Sequence, residues 1–170
     1  SDAGGAGRTP PIPQKIKFKS ASGDVAFSLK TQQDGAKLVD AAERELARFN
    51  LKNTKLKIKS PQDDVIAYVV TSAGGYKVKN PQQDQTLWKL ERRDNGDWRL
   101  EDAQGQILNK IKKRDYGFEV EDSREVSLFK VKKKGSKTSL RDPAEKIVYS
   151  TKDPVLPIAV AMLGLPAIKE

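Results

Sequence analysis

One short pattern recurs along almost the whole chain: apolar, any, apolar, any, then Ser, Asp or Asn. The copies are Ile16-Phe18-Ser20, Ala36-Leu38-Asp40, Leu56-Ile58-Ser60, Tyr76-Val78-Asn80, Trp98-Leu100-Asp102, Phe118-Val120-Asp122 and, opening on Thr, Thr138-Leu140-Asp142. From one closing polar residue to the next the spacing is 20, 20, 20, 22, 20 and 20. A fixed period near twenty residues means that one supersecondary unit is stacked repeatedly, and this decides the architecture before local propensity is consulted.

Within each copy the apolar positions alternate with polar ones, the period of two that marks a half-buried strand. Lys17 and Lys19, Lys57 and Lys59, Lys77 and Lys79, Arg99 and Glu101, and Glu119 and Glu121 fall between them. Successive side chains alternate sides, so these charges face away from the apolar surface. The closing residue then opens a turn. Ser60-Pro61, Asn80-Pro81 and Asp142-Pro143 put Pro where its fixed φ suits a type I turn. A second alternating run follows, as in Val25-Phe27-Leu29, Val65-Ala67-Val69, Trp88-Leu90, Ile107-Ile111, Phe129-Val131 and Ile147-Tyr149. A tight reversal closes the unit at Asp34-Gly35, Gly74-Gly75, Asn95-Gly96, Tyr116-Gly117 or Gly135-Ser136, pairs that supply the positive φ of short hairpin turns. Propensity alone reads residues 40–49 as a short helix. The repeat places Ala47 and Phe49 at apolar strand positions, and the reading here follows the repeat.

The chain is therefore expected to be an antiparallel meander of about twelve to fourteen short strands. An open meander of that length would expose two edges, so closure into a barrel, stacking or blades is required. Residues 154–168, from Pro154 to Ile168, carry no charge. Asp153 followed by Pro154 reads as a helix start, and Gly164 and Pro166 as its end, giving a helix over about 154–164. Ten or so residues span about 15 Å, too short to cross a bilayer. A helix apolar all round needs apolar surroundings all round, and a barrel of about twelve strands is wide enough to hold one. A β-trefoil would need a forty-residue repeat and leaves the tail without a place. Seven hairpins do not divide into four-stranded blades, and a hairpin solenoid would use the tail only as a cap. The expectation is a mainly β fold: one closed antiparallel barrel of about 12 strands over residues 15–168 around a buried C-terminal helix.

The hairpin series, the stretch Tyr149-Ser150-Thr151-Lys152-Asp153-Pro154 that ends it and the final apolar helix together resemble the tubby-like superfamily. That superfamily comprises the tubby C-terminal domain, the plant LURP-one proteins and the phospholipid scramblases. The resemblance is one of fold and covers about residues 15–168. It implies a twelve-stranded barrel around a hydrophobic C-terminal helix. Tubby members of the family bind phosphoinositides through basic side chains, but no residue-level motif here places those side chains. The acidic calcium-binding cluster of scramblases has no counterpart in the tail.

Composition bears on function chiefly by exclusion. The chain has no Cys and no His, which removes disulfides, thiol nucleophiles, the usual general base near neutral pH and the commonest metal ligands. No cofactor or metal is expected, and the chain reads as non-enzymatic. Carboxylate chemistry was open to Asp40, Asp102, Asp122 and Asp142, but these hold the recurring turn position, where Asp caps backbone amides. Asp63-Asp64 beside Pro61 reads as a loop. A net charge of +9 points to anionic partners. The densest basic stretches are Lys110, Lys112, Lys113 and Arg114, then Lys130, Lys132, Lys133, Lys134 and Lys137, on consecutive hairpins. They form a candidate surface for anionic lipid headgroups; a solvated strand face softened by Glu119, Glu121 and Glu125 is the plainer reading. Single-stranded nucleic acid needs exposed aromatics for stacking. Here Phe18, Phe27, Tyr76, Trp88, Trp98, Phe118, Phe129 and Tyr149 all fall on the inward parity, leaving Tyr68 and Tyr116, too few for a track. Residues 1–14, with Gly4, Gly5, Gly7, Pro10, Pro11 and Pro13, read as a flexible tether. That leader suits an exported bacterial lipoprotein lipidated just upstream of Ser1; an ordinary ragged terminus reads the same way. The sequence thus points to an envelope-associated module that binds anionic lipid or, alternatively, serves as a structural or protein-interaction domain.

Overall fold

The computed structural model describes residues 14–165. The tether expected over residues 1–14 lies, except for Gln14, outside the described residues. The chain forms β1 (Lys15–Ser20), β2 (Val25–Gln32), β3 (Gly35–Asp40), β4 (Glu45–Lys52), β5 (Lys55–Lys59), β6 (Val65–Ser72) and β7 (Gly75–Lys79). It continues through β8 (Thr86–Arg92), β9 (Trp98–Asp102), β10 (Ile107–Arg114), β11 (Gly117–Asp122), β12 (Ser127–Lys134) and β13 (Lys137–Arg141) to β14 (Ile147–Thr151) and α1 (Pro157–Met162). Every strand pairs antiparallel with its neighbours in sequence, and β14 returns to β1, so the sheet is a closed barrel. Fourteen strands replace the twelve expected, because each of the seven repeats contributes a full pair. Residues 45–52 are strand, as their place in the repeat required.

The registers fix two faces. Ile16 faces Leu29, Leu29 faces Leu38, Leu38 faces Ala47 and Phe49 faces Ile58, and so on round the barrel to Val131 opposite Leu140 and Leu140 opposite Tyr149. These are the repeat's apolar positions, and they form the inner face. The intervening Lys, Arg and Glu residues form the outer wall. Such a wall is not the apolar band that a membrane-spanning barrel presents, and among the described residues no helix is long and apolar enough to cross a membrane.

Each hairpin that follows a closing polar residue carries one unpaired extra residue: Ala26, Leu46, Ile66, Leu87, Leu108, Leu128 and Val148. A bulge bends a strand and strengthens its twist, and seven of them at one level supply the curvature that closes the barrel. They also correct the simple alternation read from sequence. Val25, Val65, Ile107 and Ile147 pair with Lys19, Lys59, Glu101 and Arg141, which belong to the outer rows.

The two barrel ends differ chemically. At the capped end the closing polar side chain accepts backbone amides. Asp102 Oδ1 takes those of Gln104 and Gln106 at 2.9 Å, and Asp122 Oδ1 those of Arg124 and Val126 at 2.9 Å. The recurring carboxylates are turn caps, as expected. At the glycine end the reversals are tight. Gly74, Gly96 and Gly135 have φ of 80°, 92° and 62°. Gly35 is required for a different reason: a Cβ there would sit 1.8 Å from the Phe49 carbonyl oxygen.

The helix runs over Pro157–Met162, shorter than the expected 154–164, with Leu156 as N-cap and no side-chain cap. Asp153 does not cap it; its carboxylate accepts the Lys17 amide at 2.7 Å and ties the chain to β1. Leu156 is extended, φ −73° and ψ 135°, as a residue before proline prefers, so the helix starts no earlier than Pro157. It packs against β11, β12 and β13. Val160, Ala161 and Leu165 are buried with Ile16, Phe18, Leu100, Ile111, Val120, Val131 and Leu140. Its surroundings are not apolar on every side, since Ala159 is exposed.

Candidate functional site

The basic cluster expected on β10 to β13 divides into two populations, because neighbouring residues of a strand face opposite ways. Lys110, Lys112, Arg114, Lys130 and Lys132 lie on the outer rows, opposite Glu121, Glu119, Gly117, Arg141 and Ser139 respectively. Acids hold all five. Lys112 Nζ is 2.7 Å from Glu125 and 3.3 Å from Glu121, and Lys110 is 3.5 Å from Glu125. Arg114 lies 3.0 Å from Glu119, and Lys130 3.0 Å from Glu145, which Lys132 also meets. Glu121 is 5% exposed, and Lys112 and Arg114 are the cations set against it, at 3.3 and 3.7 Å.

Glu119 and Glu121 come from β11 itself, whereas Glu125 and Glu145 come from the turns of the capped end. Glu43, Asp63, Gln83, Glu125 and Glu145 all have positive φ, at the turn position that Gly23 and Gly105 occupy in two other repeats. From there Glu43 reaches Lys15 and Lys30, Asp63 reaches Lys59 and Gln83 accepts from Lys55 at 2.8 Å. Hydrogen bonds from Lys132 and Lys130 hold the Glu145 carboxyl down to about 2. Lys112 likewise lowers Glu125, and Lys30 lowers Glu43. These turns bind the outer lysines from one side and leave little of their charge for a ligand.

The remaining predicted cations behave otherwise. Lys113 and Lys133 are the last inward-parity residues of β10 and β12, opposite Phe118 and Thr138, and Lys134 and Lys137 flank the β12–β13 turn. Arg92 holds the matching position on β8, opposite Trp98. Among the described residues none of these five has a carboxylate within 4 Å. Their backbones are fixed: the Arg92 amide donates to the Gly74 carbonyl, the Lys133 amide to that of Tyr116 and the Lys113 amide to Asp97 Oδ1 at 2.8 Å. Asp97 also accepts from the Asn95 side-chain Nδ2 on its second oxygen at 3.1 Å. It is spent on the turn.

Exposed apolar side chains share this end. Leu51 is 57% exposed, Tyr76 43% and Leu156, in the segment that leaves β14, 70%. Tyr76 was expected in the core; it does lie on the inner row, but at the mouth. Its ring stacks on Trp98 with centroids 6.4 Å apart. The two rings, with Thr71, Arg92, Arg93 and Asp94, line an open depression of about 470 Å³. Sequence reasoning passed over Arg92 and Leu51. The spacing from Leu51 through Thr71, Arg92 and Lys113 to Lys133 follows the repeat, and that register was the signal available. Among the described residues no group of three or more acidic, His or Cys side chains is placed to hold a metal.

Neither a family model nor a curated protein sequence matches the chain. In shape it is similar to the X-ray structure of a protein from Arabidopsis thaliana, with 10% identity, 94% of each chain covered and a TM-score of 0.49, a likeness from which no residue's role is carried over.

Proposed function

We propose that this chain is a non-enzymatic, tubby-like binding module of the cell envelope that docks the glycine end of its barrel on anionic lipid headgroups. One observation carries the reading: among the described residues Arg92, Lys113, Lys133, Lys134 and Lys137 have no carboxylate within 4 Å, and they share the glycine end with exposed Leu51, Tyr76 and Leu156. Basic residues beside exposed apolar ones suit an interface with charged headgroups above an apolar layer. Each basic residue near such a surface contributes on the order of 1 kcal/mol. The turns of this end also carry Asp34, Asp94, Asp97 and Asp115, so the attraction rests on the five cations themselves and not on a charge separation between the two ends.

The test is co-sedimentation of the chain with anionic and neutral vesicles at low and high salt. Binding is expected on anionic vesicles alone and should weaken steeply as ionic strength rises. Gln at Arg92, Lys113, Lys133, Lys134 and Lys137 should abolish it, whereas Gln at Lys110, Lys112, Lys130 and Lys132 should change it little. Equal losses from the two sets would place the site on the outer wall. No binding at any salt would defeat the lipid reading in favour of a protein-interaction role.

A further inference from the structure

The inner face is covered on one side only. Around α1 the middle of the inner row of β9 to β14 is sealed: Ile111, Val120, Val131 and Leu140 are inaccessible, and the half-buried Trp98, Phe118, Phe129 and Tyr149 pack against that cluster. Across the barrel the inner row of β3 to β7 is just as apolar but keeps solvent contact. Leu38, Phe49, Leu56, Ile58, Val69 and Val78 are only half-buried and stand outside the cluster that packs on the helix. Leu51 and Tyr76 continue this surface out to the mouth at the glycine end. A closed barrel wall cannot turn such a face to a neighbouring sheet, so its partner must enter through the barrel.

The mouth has a polarity that selects the partner. Arg92 stands on the inner row of β8 beside the Tyr76–Trp98 stack; Arg93 and Asp94 line the same depression, and among the described residues no carboxylate lies within 4 Å of Arg92. A guanidinium offers paired donors that match a carboxylate, and it sits where the apolar surface ends. We infer that the slot between α1 and the β3–β8 wall takes the hydrocarbon chain of a long-chain fatty carboxylate, with its head on Arg92. This rests on the docking reading for the role of the glycine end and shares Arg92 with it, but adds a different surface, the inner face, which Val69→Phe tests alone.

The chain's two Trp residues report on the slot. Trp88 and Trp98 both lie on the inner row, opposite Val78 and Ile111. Dibromostearate, used as monomer without vesicles, should quench their fluorescence saturably, and palmitate should reverse the quenching. Arg92→Gln should weaken binding about ten- to hundredfold, and Val69→Phe, which fills the slot, should abolish it in a chain with an unchanged near-ultraviolet circular dichroism spectrum. Should Val69→Phe not fold, Arg92→Gln and palmitate competition decide. Vesicle binding without quenching would overturn the inference and leave the docking reading standing; loss of both would sink the two together. Quenching that appears only in a chain ending at Leu165 would assign the slot to residues 166–170 and overturn the inference as well.

Discussion

Glu145 shows how this protein spends an unfavourable backbone conformation. Its φ of 70° lies where glycine is at ease and other residues are strained, yet from that position its carboxylate reaches both Lys130 and Lys132. With a folded-state value of about 2 against an ordinary 4.5, ionised Glu145 adds stability above about pH 4.5, and that contribution is lost as pH falls toward 2. Urea midpoints measured from pH 7 to pH 2 should therefore fall less for Glu145→Gln than for the wild type, and high salt should narrow the gap because the site is exposed. Identical acid limbs would remove Glu145 from the acid response. The glycines separate in the same manner. Gly35→Ala drives a Cβ to 1.8 Å from the Phe49 carbonyl oxygen and should cost about 3 kcal/mol. Gly135→Ala meets nothing within 4 Å and has only its φ of 62° to oppose it, so about 1 kcal/mol is expected. Thermal melts of the two variants should differ by several degrees.

At the scale of elements, α1 is held by packing and not by helix propensity. Six residues without a side-chain cap are far below the length at which a helix is stable alone. Leu165→Ala, which empties an inaccessible site, should cost about 2–5 kcal/mol. Ala161→Asp buries an unpaired charge against the inner face and should prevent folding, while Leu156→Asp, at an exposed position, should fold normally. Circular dichroism and size-exclusion chromatography of the three variants would decide; a well-folded Ala161→Asp would mean that the helix is dispensable to the barrel.

Across the whole molecule, closure depends on its weakest seam. Elsewhere adjacent strands register over four to six residue pairs, as in β2–β3 and β10–β11, but β1 and β14 share only Lys19 with Ser150 and Ser20 with Tyr149. The Asp153 carboxylate on the Lys17 amide reinforces the seam. Amide hydrogen exchange should consequently be fastest, among strands, in β1 and β14, and Asp153→Ala should raise it there while leaving β10 to β12 protected. Uniform exchange round the barrel would show that closure is no weaker than the hairpins.

Some of this was settled by the chain alone. Periodicity of two inside a period of twenty determines strands, hairpins and the apolar face, because both are local consequences of side-chain alternation and turn chemistry. The capping Asp residues and the strand at residues 45–52 follow from the same register. The bulges were not legible, since an extra residue in one strand shows only against its partner. The opposite parities of Lys112 and Lys113 were legible from Ile111, but the pairing was not: only the closed sheet brings Glu125 of the next turn onto Lys112 and leaves Lys113 at the mouth. The uncovered face of β3 to β7 was least legible of all. Its residues repeat those of β9 to β14, and what separates them is that a short helix inside a wide barrel covers one wall.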